Sequence, residues 1–147
     1  MNKLFNSFLI ITSSFFILSC GQDDDGGTNP DVTDYSYHAH VHSPNSDDKH
    51  LGDKMEIHVE FESHTGEAVH HVNVRIYNKS DETELYNQPE EAHVHEMDGV
   101  YEFSDEITLS EANGFSEHSN YILEAKVWGH DDTEGEVSET VEFHIHP

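Results

Sequence analysis

The chain has 147 residues, and 31 acidic against six basic side chains give it a formal charge of −25. A field of that sign excludes nucleic acid and anionic lipid surfaces as electrostatic partners and favours cations. The only cysteine is Cys20, so no intrachain disulfide can brace the fold, and a core must come from apolar patterning alone.

The first element is an export signal over residues 1–19. Lys3 supplies its positive start, and "LFNSFLIITSSFFIL" is an apolar run too short for a comfortable membrane span. Residues 20–31, "CGQDDDGGTNPD", contain no periodic apolar pattern and predict a flexible acidic tether. The segment Leu18-Ser19-Cys20-Gly21 resembles the lipobox of bacterial lipoproteins, with Ile17 where the strongest examples carry Leu. That resemblance implies lipidation of Cys20 and a membrane anchor in place of a membrane span. An acidic run soon after such a cysteine also resembles the surface-export signal of Bacteroidetes lipoproteins. The implied location is the outer membrane, facing the periplasm or displayed at the surface.

Residues 32–147 suit one domain by length. In "YSYHAHVHSP" a period of two sets Tyr35, Tyr37, Ala39 and Val41 on one face and His38, His40 and His42 on the other. "MEIHVEFES" alternates likewise, with Met55, Ile57, Val59 and Phe61 inward, and "HHVNVRIYN" turns Val72, Val74 and Ile76 inward. "AHVHEMDGVYEFSDEITL" carries Asp98-Gly99, a strong short hairpin signal, and so predicts two paired strands. "LSEANGFSEHSN" has room for one short helical turn, and "NYILEAKVWGH" and "ETVEFHIHP" complete the set. About seven strands predict an all-β, immunoglobulin-like antiparallel β-sandwich, with a small barrel or jelly roll as the other arrangement of the same pattern. Tyr121, opening the penultimate strand, occupies the place of a tyrosine corner.

Histidine is the unusual residue. Random placement of 14 histidines gives roughly 1.3 pairs at spacing i, i+2. The chain has four: His38/His40, His40/His42, His93/His95 and His144/His146. Their neighbours Ala39, Val41, Val94, Phe143 and Ile145 take the inward positions, so every pair is expected to face outward. Same-face residues two apart have Cα atoms about 6.6 Å apart, close enough for two imidazoles to lean onto one ion. Such a pair is a half-site for a divalent transition metal: zinc first, with copper(II) or nickel second. Neighbouring first and last strands would let His42 meet His144 and His146, with His50 nearby. His64, His70, His71 and His130 are expected at the opposite end, and the Asp98-Gly99 turn would set His95 across from Glu102 and His93 across from Ser104. His118 stands alone in sequence and reads as a solvated residue. Two blander readings use the same residues: a polar outer face that keeps sheet edges from aggregating, and proton sensing.

"AHVHEMDG" resembles the copper-ligand strand of copper/zinc superoxide dismutases, at His93, His95 and Glu96. That family's disulfide cannot form here, and the sole arginine, Arg75, lies mid-strand, so the resemblance implies ligand geometry without the activity. "HVEFESHTGEAVHHVNVRIYN", "EAHVHEMDGVYEF" and "LEAKVWGHDDTEGEVSETVEFHIHP" resemble small His-rich Bacteroidetes lipoproteins carrying an immunoglobulin-like domain of unknown function. With no phosphate loop, nucleophile arrangement or His-Glu-X-X-His helix, the reading is a non-enzymatic, metal-binding lipoprotein. Its partners are a metal ion and, through Cys20, a membrane; any protein partner is unknown. The competing reading is a surface interaction or adhesion module with incidental histidines.

Overall fold

Alternation of apolar and polar side chains becomes alternation of buried and exposed ones in the computed structural model, which describes residues 36–90, 92–131 and 135–147. The expected signal peptide, Cys20 and the expected acidic tether lie outside the described residues. In β1 (Tyr37–Ser43), Tyr37 and Ala39 are buried while His38, His40 and His42 are exposed. In β3 (Lys54–Ser63), Met55, Ile57, Val59 and Phe61 are buried, as the period of two requires. The same rhythm runs through β4 (Val69–Asn78), β8 (Ser119–Trp128) and the end of β9 (Val137–His146).

These strands form two sheets, in the orders β1-β3-β7 and β2-β9-β8-β4-β5, where β2 is Lys49–His50, β5 is Glu84–Gln88 and β7 is Val100–Thr108. A further strand, β6 (His93–Glu96), pairs with the start of β4. Strands one, three and seven opposite the remainder give the immunoglobulin-like sandwich expected from the pattern. Between the sheets lie Tyr37, Phe61, Phe115, Tyr121, Phe143 and a set of Ile, Leu and Val side chains, all essentially inaccessible to water. Each such aliphatic side chain stabilises the fold by roughly 1.5–3 kcal/mol relative to an exposed position. Tyr121 is a tyrosine corner: its hydroxyl accepts the Ser116 N–H at 2.8 Å, tying the loop before β8 to the core.

Two features differ from the sequence reading. The described residues hold nine strands, because β2 and β5 show no alternation to reveal them. β2 is two residues long and runs parallel to β9, so the sandwich is not wholly antiparallel. The second difference is at Asp98-Gly99. Gly99 has φ 75 and makes the turn, but the strands it joins do not pair with each other. β6 belongs with β4, whereas β7 pairs along β3, so the chain crosses between sheets here. An Asp-Gly pair supplies a left-handed turn residue; which strand its flanks pair with is decided by their inward side chains. Consequently Glu102 stands opposite Glu60 and Ser104 opposite His58, and neither is a cross-strand partner of His95 or His93.

Candidate metal centres

The first centre is built where β4 begins. Val69 and Val72 are both buried, which a regular strand cannot arrange for residues three apart. The register slips between Val69 and His71, opposite Glu96 and His93 of β6. This bulge leaves His70 and His71 together outside the core, where a regular strand would send them to opposite faces. On β6, His93 and His95 are exposed on either side of Val94. His70, His93 and His95 thereby offer one ligand nitrogen each, all within 4.8 Å of one another. The Nδ1 atoms of His70 and His95 are 3.2 Å apart. Tetrahedral zinc with bonds of about 2.0–2.1 Å needs donors separated by about 3.3 Å.

Two more imidazoles surround these three. The His71 ring is 5.0 Å from His93 and lies flat on Trp128 at 5.2 Å. Its Nδ1 donates to the Gly129 carbonyl at 2.7 Å, which leaves Nε2 as the basic nitrogen. The His130 ring stands 5.1 Å from His70. Burial holds the His70 imidazole below its ordinary pKa, and the neighbouring His95, His130, His71 and His93 act in the same direction. A depressed pKa keeps the ring neutral, which is the form that binds metal.

The second centre lies at the other end of β8. His118, His144 and His146 present three ligand atoms within 4.8 Å of one another. The His118 N–H donates to the Ile145 carbonyl at 2.7 Å, fixing the approach to β9 just before β8 begins. His144 is oriented by Asn120, whose Oδ1 lies 2.7 Å from His144 Nδ1. Asp48 Oδ2 is 3.3 Å from His146 Nε2, the spacing of neighbouring donors on one ion. β2 brings the His50 ring to 6.0 Å from His146. Nine residue steps along β8 separate the two ends, or roughly 30 Å at about 3.3 Å per residue, so the centres cannot share an ion.

Backbone conformation marks both centres. Among the described residues, positive φ at a non-glycine occurs at Glu82, His95 and His118, with 53° at His95 and 58° at His118. A left-handed non-glycine residue costs of order 1–3 kcal/mol, and such residues cluster at functional sites. Each centre contains one.

The sequence-predicted ligands are therefore distributed unevenly. His93 and His95 join one centre, and His144 and His146 the other. His38, His40 and His42 enter neither group. The expected meeting of His42 with His144 and His146 is not formed, because β1 pairs with β3 in the opposite sheet. His42 instead faces His58, with ring centroids 4.9 Å apart. The strand beside β9 is β2, which accounts for His50 reaching His146. His70 and His130 do meet at one end, as expected, but His64 turns away to Glu62. His118 was hidden from sequence reasoning: no spacing links it to residues 26 and 28 positions later, and only the β8–β9 register does.

No protein-family model matches the chain, and neither does any curated protein sequence. Among solved structures, a CARDB domain from Pyrococcus furiosus in complex with di-metal ions aligns at 15% identity and TM-score 0.48, covering 76% of this chain and 88% of that one. A β-glucosidase from Listeria innocua in complex with glucose aligns at 11% identity and TM-score 0.44, over 77% of this chain and 16% of the enzyme. A β-glucosidase from Erythrobacter marinus aligns at 14% identity and TM-score 0.41, over 74% of this chain and 15% of the enzyme. At these scores the likeness carries nothing about this chain's chemistry, and its fold rests on its own strand order.

Proposed function

We propose that the protein is a non-enzymatic envelope lipoprotein that binds divalent transition metal at two separate imidazole centres, for capture, buffering or delivery. The observation that carries this reading is the convergence, twice over, of a His-X-His pair on one strand with a third histidine from elsewhere in the chain. Chance outward histidines on a solvated sheet would not bring isolated His118 to His144 and His146. Nor would they be served by orienting partners such as Gly129 and Asn120. All-nitrogen donor sets suit zinc, and copper(II) or nickel next; soft sulfur ligands for copper(I) are scarce. Lipidation at Cys20, outer-membrane placement and kinship with His-rich Bacteroidetes lipoproteins belong to this proposal on the strength of the sequence alone.

The dismutase reading is set aside, since Arg75 is engaged by Glu124 and lies over the Tyr77 ring at 4.8 Å. The test is calorimetric titration of metal-free, tag-free protein with zinc, copper(II) and nickel. Binding that saturates with independent equivalents at the two centres is expected. Absence of binding by all three metals would leave the adhesion-module reading in its place.

A further inference from the structure

β7 is an edge strand. It pairs with β3 along its whole length, and among the described residues no strand pairs with its other side. Hydrogen bonds at the two ends of this ladder fix which main-chain groups look where. The Ser63 N–H donates to the Gly99 carbonyl at 2.8 Å, and the Leu109 N–H donates to the Asp53 carbonyl at 2.9 Å. The register between them is unbroken, so Tyr101, Phe103, Asp105 and Ile107 bond to β3. Val100, Glu102, Ser104 and Glu106 therefore turn their N–H and C=O groups away from β3. One end of this open row is closed from within: Asp105 Oδ1 accepts the Glu106 N–H at 2.8 Å, and Asn113 Nδ2 donates to the Thr108 carbonyl at 2.8 Å. Val100, Glu102 and Ser104 have no such cover, and all three are exposed. Val100, at 43%, is one of two large apolar side chains exposed among the described residues.

We propose that this edge docks an extended segment of a partner protein, which adds to the sheet as an antiparallel strand and carries Lys or Arg opposite Glu102 and Glu106. The added strand bonds to the N–H and C=O groups of Val100, Glu102 and Ser104, over roughly 13 Å at about 3.3 Å per residue. Side chains supply the preference for a basic segment. Glu102 lies directly opposite Glu60, and Glu106 opposite Glu56, and like charges so placed destabilise a sheet. Lys54 Nζ meets Glu106 at 2.6 Å, whereas no basic side chain among the described residues pairs with Glu102 or Glu60. A cation on the partner relieves that repulsion, and apolar side chains at the intervening positions cover the half-buried Tyr101 and Phe103. A second copy is the wrong occupant. Its β7 would bring Glu102 and Glu106 against their own counterparts, in a chain whose formal charge is already −25. No residue of either imidazole centre lies on β7.

The test uses the metal-free full chain and a fluorescent synthetic peptide, Lys-Val-Thr-Val-Lys-Val-Ile, whose threonine faces Ser104 and whose lysines face Glu106 and Glu102. Anisotropy at about 0.15 M salt, where the Debye length is about 8 Å, should show saturable binding. The amides of Glu102 and Ser104 should exchange hydrogen more slowly once the peptide is bound. Replacing the peptide's threonine by proline keeps its charge and removes the N–H that the Ser104 carbonyl accepts. That change should weaken binding by at least about tenfold, the worth of one or two main-chain hydrogen bonds. Ser104→Pro removes the matching donor from the protein without breaking a bond to β3, and should weaken binding as much. Glu102→Lys should do so through charge, and keeps the test decisive if Ser104→Pro does not fold. No binding of the parent peptide, or binding indifferent to Glu102→Lys, would overturn the proposal. A proline peptide that binds as tightly as its parent would overturn it too, leaving the carboxylates as a diffuse field that guards the edge against aggregation.

Discussion

Replacing His93 with Gln and His95 with Asn should erase one centre and leave the fold standing. Asn is chosen at position 95 because φ there is 53°, and Asn tolerates the left-handed region better than most residues. Both side chains are exposed, so the metal-free variant should lose no more than about 0.5 kcal/mol. The metal-dependent part is larger. An ion that binds only the folded state stabilises it by about 2.7 kcal/mol at a hundredfold excess over Kd. With an unfolding entropy of about 2.1 cal/mol/K per residue, a domain of this size melts about 4 °C higher per kcal/mol, or about 11 °C per occupied centre. Because the centres sit at opposite ends of β8, their contributions should add. Differential scanning fluorimetry of metal-free protein, with and without zinc, reads this directly. The wild type should shift by the sum, and the variant should lose the β4–β6 share only. A variant that keeps the full wild-type shift would refute the assignment of His93 and His95 as ligands.

At the other end of β8, Asp48→Asn should weaken zinc binding several-fold while His118→Asn abolishes it, since Asp48 touches only His146 and His118 is one of three nitrogen donors; calorimetry distinguishes the two. Tyr86 gives a pH prediction. Partial burial, together with a 2.6 Å hydrogen bond donated to Asp105, raises its pKa well above the ordinary tyrosine value. The stability it contributes is therefore complete below about pH 10 and lost as pH rises through the higher folded value. Titration monitored at tyrosinate absorbance should show Tyr86 ionising late in folded protein, and Tyr86→Phe should reduce the late phase by one phenol. For the anchor, Cys20→Ser should move the protein from the detergent phase to the soluble fraction; wild-type protein found free in the medium without an acyl group would refute lipidation.

The period of two was enough to specify which faces are wet and which are dry, because side-chain direction in a strand is a local property. Tyr37, Ala39, Met55, Ile57, Val59, Phe61, Val72, Val74 and Ile76 are all buried as that rule demands. It also put every His-X-His pair outside the core and marked Tyr121 as a corner. The same rule is silent about which strand lies beside which, since pairing depends on inward surfaces meeting across the sandwich. That choice separated β6 from β7 at Asp98-Gly99, sent His42 to His58 and brought His118 to β9. The bulge at His70-His71 lay beyond sequence reasoning for a related reason. An irregular residue is inserted where Val69 and Val72 both need the core, and only the packed sheets make that demand. Histidine content pointed to the chemistry, and tertiary structure decided which imidazoles stand close enough to share one ion.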